Sequence, residues 1–238
     1  MKIELTQKPA PNAVIIEGFP GFGFVSTIAT QYIVKHLNAK PIGRIISDKI
    51  SPLIAIHNNE IIEPLQILYD KGKNIILVQA LIPVDGIEWD IAETIIELAK
   101  QIKAKEIIGL EGVASQELSE NPKVFFFTND GAKRKKFQEM NINDLNEGII
   151  VGVTGALLMK IKEGLDFTCF FVESHSQLPD NNAASKLIEI LDKYINLGID
   201  FKPLKEQAKQ FEGKLKELMA KLKDVKVEKE KKSLSYTG

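Results

Sequence analysis

The chain has 238 residues, 44% of them hydrophobic and 26% charged, with a formal net charge of −1. That is enough apolar material for a packed core and too little net charge for a disordered or polyanionic chain. One cysteine, Cys169, excludes an internal disulfide framework and fits a reducing compartment. No stretch approaches the roughly 18 apolar residues of a membrane span, and residues 1–11 lack the apolar core of a secretory signal. The expectation is a soluble, cytoplasmic protein.

In chain order, residues 13–17 read as a buried strand, and the glycine-rich turn Gly18, Phe19, Pro20, Gly21, Phe22, Gly23 leads into a helix over 24–37. Strands follow at 41–47, 53–57, 60–68 and 74–80, then a helix at 88–103. Further strands fall at 106–112, 123–127 and 148–151, a helix at 156–162, a strand at 167–173 and a helix at 183–197. This alternation predicts an α/β fold: a largely parallel, partly mixed sheet with helices on both faces, and antiparallel pairing where 53–68 runs strand to strand. A glycine stop and a proline start at 198–203 divide an α/β domain, 1–201, from an appendage, 202–238.

The turn stands where a dinucleotide-binding fold holds phosphate. From Gly21, however, the spacing runs Gly, Phe, Gly, Phe, Val, Ser, without the third glycine and without a Gly-Lys-Ser/Thr ending. Two readings stand: a nucleotide or small-molecule site using 18–26, or a tight turn whose phenylalanines meet a partner protein. His36, His57 and His175 share no metal-ligand spacing with one another or with Cys169. Neither a metal nor another cofactor is expected. Glu173, Ser174 and His175 end a strand near Asp180, but neighbouring strand residues point to opposite faces, and 179–182 reads as a turn capping the next helix. Asp85, Glu88 and Asp90 suit the first turn of a helix by complementing its dipole. No catalytic residue is assigned.

The appendage carries a heptad seam. Leu204, Ala208, Phe211, Leu215, Leu218, Leu222 and Val225 alternate in steps of four and three, a stripe that needs another helix or a groove to cover it. A second copy of the chain is the simplest partner. Residues 202–232 hold eleven lysines against six carboxylates, about +5, which leaves about −6 on the body. Glutamates interleave with the lysines, no arginine is present and Phe211 is the lone aromatic, so a solvated helix face is expected and no nucleic acid. A charged stretch then ends in Leu234, Ser235, Tyr236, Thr237 and Gly238, like a tethered plug.

Several stretches in order resemble the archaeal and bacterial relatives of proteasome assembly chaperone subunit two. They are Gly18 through Val25; Asn38 through Gly43 with Ile46, Ser47 and Pro52; Glu106 through Gly112; Thr128 and Asn129; and Gly152 through Leu158. Val172 through Ser174, Pro179 and Asp180, Ala183 through Leu187, and Gly198 through Asp200 complete them. The resemblance implies a three-layer α/β fold similar to nucleoside phosphorylases without their catalytic residues, assembled into homo-oligomers. It implies an ATP-independent chaperone or adaptor, not an enzyme, that binds proteasome core-particle subunits and promotes assembly or engages the assembled core. It also implies docking through a carboxy-terminal hydrophobic-Tyr-any motif. Here tyrosine is third from the end and Ser235 precedes it, so Leu234, Tyr236, Thr237 and Gly238 form a variant anchor.

Overall fold

A computed structural model describes residues 1–50, 54–57, 59–115, 121–161, 164–174 and 178–204. Strands β1 (Lys2–Leu5), β2 (Val14–Gly18), β3 (Lys40–Ile46), β6 (Leu65–Asp70), β7 (Ile75–Ala80), β8 (Glu106–Ala114), β9 (Val124–Thr128), β10 (Asn143–Asp144) and β11 (Phe167–Ser174) form one sheet. Its order is β1-β3-β6-β7-β2-β8-β11-β9-β10. The four central strands, β7, β2, β8 and β11, run parallel, and the flanking pairs β7 to β6, β6 to β3, β3 to β1 and β11 to β9 are antiparallel. A separate antiparallel hairpin joins β4 (Ala55–His57) and β5 (Glu60–Ile62).

Side-chain alternation along the central strands makes two cores. Val14 and Ile16 of β2 face one way, with Leu77, Ile108, Leu110 and Phe170, under helices α1 (Val25–Leu37) and α5 (Asn181–Ile195). Ala13 and Ile15 face the other, with Ile76, Val78, Ile107 and Phe171, under α2 (Glu88–Ile102) and α4 (Gly152–Lys160). Helices on both faces explain why β2 and β7 are buried along their whole length and read as continuous apolar runs. The mixed three-layer α/β expectation is met. Helices α1, α2 and α5 end on left-handed residues, Asn38, Lys103 and Asn196, and two of these are asparagines, whose side chain tolerates that conformation best after glycine.

Four local expectations are corrected. The strand expected at 60–68 is broken at Pro64, which has no N–H to give a ladder, so β5 and β6 belong to different sheets. No strand forms at 148–151; this apolar run is an irregular loop with Ile149 92% exposed, and α4 begins at Gly152, four residues earlier than expected. Edge strand β1 was not expected. Nor was α3 (Gly131–Glu139), whose sequence buries only Phe137 and depends on Asp130, whose carboxylate accepts from the amides of Ala132 and Lys133.

The domain continues through Leu204, which is 3% exposed and sits in the α1/α5 core with Leu197 and Ile199. The first position of the heptad stripe is thus taken up by the domain itself. The other seam positions, Ala208, Phe211, Leu215, Leu218, Leu222 and Val225, and the anchor residues Leu234, Tyr236, Thr237 and Gly238 lie outside the described residues.

Candidate functional site

β2 ends at Gly18, opposite the middle of β8, which runs on to Ala114, and the glycine-rich turn follows the end of β2. Gly21 leads into a short 3-10 turn, Phe22–Phe24, in which Gly23 (φ 63°) and then Phe24 (φ 50°) are left-handed. Glycine adopts that conformation freely; phenylalanine does so only where surrounding contacts hold it. The turn is tied down by the Asp180 amide, which donates to the Gly23 carbonyl at 2.9 Å, and by the Ser26 hydroxyl, which donates to the Leu110 carbonyl. Its phenylalanines do not stand free. Phe19 is buried in the α2/α4 core, and Phe22 and Phe24 are half-buried. The expectation of phenylalanines exposed for a partner is corrected on this point.

The three phenylalanines instead wall a cleft of about 590 Å³, closed on its other sides by Val84, Ile149, Ile150, Val151 and Val153. At its floor lies Glu111. The Glu111 Oε2 accepts from the Thr154 hydroxyl at 3.1 Å, and Oε1 accepts from the Gly112 amide at 3.2 Å. Behind Thr154 is Glu17, wholly buried, with Oε1 2.8 Å from the same hydroxyl and Oε2 without a hydrogen-bond partner among the described residues. Glycines make room for both acids. A Cβ on Gly109, the residue paired with Glu17 across the sheet, would come within 2.9 Å of Glu17 Oε1, and one on Gly21 within 2.5 Å of Glu111 Oε1.

Burial dominates the electrostatics here. It raises Glu17 to about 8, helped by the nearby Glu111 charge, and raises Glu111 to about 7 against the opposing hydrogen bonds of Thr154 and Gly112. A threonine hydroxyl has one hydrogen, so it can serve both carboxyls at these distances only if it donates to one and accepts from the other, which is then protonated. Glu17, wholly enclosed, is the one that keeps the proton, whereas Glu111 faces the cleft and accepts from the Gly112 amide. Cys169, in the same layer, is also fully buried, and its thiol is pushed well above the ordinary range by burial and by the two carboxyls. It therefore packs as a small hydrophobe rather than serving as a reactive thiol.

Among the described residues, every charged side chain lining the cleft is an acid: Asp85, Glu88 and Glu111. That argues against phosphate at the glycine-rich turn, because an anion there would meet carboxylates and no cation. Among the described residues, the other sequence candidates are tied into structural hydrogen bonds. Ser174 donates to Asp180 at 2.9 Å, while the other oxygen of Asp180 accepts from the Ala183 amide as the cap of α5. His36 lies on α1 with its Nε2 3.1 Å from the Gly198 carbonyl, and the side chains of His57 and His175 lie outside the described residues. Among the described residues no cluster of His, Cys, Asp and Glu is placed to hold a metal, and no helix is long and apolar enough to cross a membrane.

Glu17, Glu111 and Thr154 were not singled out from the sequence. The available signal was a carboxylate closing each of two otherwise apolar strands, Val-Ile-Ile-Glu-Gly and Ile-Ile-Gly-Leu-Glu-Gly. A charge at a position buried on both faces demands a special environment.

Comparison with known proteins places this geometry in context. A protein of Methanocaldococcus jannaschii without a described function is 30% identical over 210 residues, 87% of this chain and 85% of its own length. Among solved structures, PbaA of Pyrococcus furiosus, described as an archaeal homologue of proteasome-assembly chaperone, superposes with a TM-score of 0.84 at 26% identity, over 94% of this chain and all of PbaA. PbaB of the same organism, described as an archaeal proteasome activator, shares the fold at a TM-score of 0.73 and 22% identity, over 92% of this chain and 98% of PbaB. The PAC2 family model matches residues 15–219, nearly the whole described domain and the sequence beyond it, and the chain belongs to the PAC2 family.

Proposed function

We propose that this protein is a cytoplasmic, homo-oligomeric and ATP-independent chaperone or adaptor that binds proteasome core-particle subunits, with Leu234, Tyr236, Thr237 and Gly238 as the docking tail. Family membership and the likeness to PbaA support it. The observation that carries it is the amount of apolar surface left uncovered. The β4–β5 hairpin stands outside the main sheet and exposes Ile54, Ile56 and Ile61, Ile56 to 72%. Ile149 and Val151 at the cleft mouth are exposed as well, as are Trp89 on α2 and Met159 on α4, two helices linked by the Lys160–Glu93 pair. Apolar side chains grouped this way on an otherwise well-packed domain mark contact surfaces. The acidic lining of the cleft supports action without ATP, since a triphosphate would be repelled there.

Several tails on one oligomer would raise the effective concentration of each at a ring-shaped target, so weak single anchors suffice. The test is capture of co-expressed core-particle subunits by the intact chain and by a chain lacking residues 234–238, with mass measured by size exclusion and light scattering. The expected result is an intact oligomer in both and loss of capture in the shortened chain. Equal capture by both refutes the tail mechanism; no capture by the intact chain refutes the adaptor reading.

A further inference from the structure

We infer that the cleft beneath the glycine-rich turn is a binding site for a small organic cation, an ammonium head on an apolar body, with the head seated on Glu111. Three observations meet there. The cleft, at about 590 Å³, falls within the roughly 300–1,000 Å³ of small-molecule sites. Its walls are aromatic and branched aliphatic side chains, Phe19, Phe22, Phe24, Ile150 and Val151 among them. Its floor is a carboxyl, and the remaining charged side chains of the lining, Asp85 and Glu88, have the same sign.

A carboxylate offers about four acceptor positions, and among the described residues Glu111 uses two, toward Thr154 and Gly112. The remaining positions are left for a donor entering from the cleft. An ammonium fits best because it brings three donors and the opposite charge, and because the faces of the surrounding phenylalanine rings attract cations. Among the described lining residues, an anion of the same shape would meet three acids and no base. A single lysine side chain would leave most of the volume empty, which favours a free molecule with a larger apolar body over a polypeptide segment. Gly21 keeps the approach open, since a Cβ there would lie against Glu111 Oε1. The inference does not depend on the adaptor reading.

The experiment is isothermal titration calorimetry and thermal shift on the full chain with tryptamine and phenethylamine, with 3-phenylpropionate as the anionic counterpart and Nα-acetyl-lysine amide as the peptide-like cation. The expected result is saturable binding of the two arylalkylamines and none of 3-phenylpropionate. Glu111→Gln should weaken the amines by about tenfold or more, as loss of a charge-assisted hydrogen bond does. Ile149→Lys, at a 92% exposed position on the rim where folding is not at stake, should weaken them as well by adding a competing cation. Equal binding of the anion, unchanged amine binding in both variants, or no saturable binding by either amine overturns the inference. Tighter binding of Nα-acetyl-lysine amide than of tryptamine would also overturn it, by assigning the cleft to a protein side chain. Core-particle capture is read separately, so either idea can fail without the other.

Discussion

A single hydroxyl hydrogen on Thr154 lies between two buried carboxyls, and this arrangement sets how the domain responds to pH. Glu17 is raised from 4.5 to about 8 in the folded protein, chiefly by burial and then by Glu111. The folded chain therefore keeps a proton between about pH 4.5 and 8 where the unfolded chain has released it. Stability contributed by this group is present at the acid end of that window and lost as the pH rises through it. Glu111, raised to about 7, acts in the same direction, so between pH 5 and pH 9 the loss should be about 4 kcal/mol or more, since one pK unit is about 1.4 kcal/mol. Glu17→Gln, which mimics the protonated form, should flatten the dependence, read as urea midpoints at the two pH values. A midpoint for the intact chain that does not fall with pH would contradict the protonated pair. Thr154→Val removes the hydroxyl while keeping the shape, and should lower stability by about 1–3 kcal/mol at pH 5, where Glu17 would become a buried donor without a partner.

At the scale of elements, the opposite end of the sheet is held by a buried charge cluster. Glu106, at the start of β8, takes the Lys133 ammonium of α3 at 2.7 Å and accepts from the Tyr194 hydroxyl of α5 at 2.9 Å, while Asp166 reaches the same lysine at 3.0 Å. Hydrogen bonds and charge from Glu106 and Asp166 raise Lys133 despite its burial, and burial with the Glu106 charge raises Tyr194. Lys133→Ala leaves Glu106 unpaired in the core and should cost about 3–5 kcal/mol, whereas Lys133→Met with Glu106→Gln should recover much of it. Denaturant unfolding of the two variants decides; equal stabilities would mean that the cluster is hydrated and weak. This cluster also shows where reading the sequence stops. Central strands such as β2 and β7 are plain from their apolar runs, because burial on two faces favours apolar residues at nearly every position, Glu17 and Gln79 being the polar exceptions. Helix α3 is not plain, since Phe137 is its one buried residue and the rest is Gly, Ala, Lys, Arg, Gln and Glu. The 148–151 loop reads as a strand because its isoleucines and valine obey the strand pattern while serving a cleft mouth. Glu17 and Glu111 lie nearly a hundred residues apart, and nothing local predicts that parallel pairing through Gly109 brings them to one hydroxyl.

For the whole molecule, the self-assembly proposed above would be constrained by the sheet's two edges. One edge, β10, is only two residues long, and the other, β1, carries Lys2 and Glu4. Short or charged edges resist strand-to-strand extension, so copies should meet through side-chain surfaces such as the β4–β5 hairpin. Ile56→Asp with Ile61→Asp should then reduce the oligomer mass in light scattering; an unchanged mass would move the interface elsewhere. Replacing Leu215 and Leu218 with Asp tests the heptad seam by the same measurement. Thr154's divided loyalty has a consequence for the molecule as a colloid. The formal charge of −1 counts every carboxyl as ionised, but with Glu17 still carrying its hydrogen the native particle is close to electrically neutral at pH 7. Titration of the folded protein should consume about one equivalent less base below neutrality than its composition implies, and its solubility minimum should lie nearer pH 7 than a count of residues suggests.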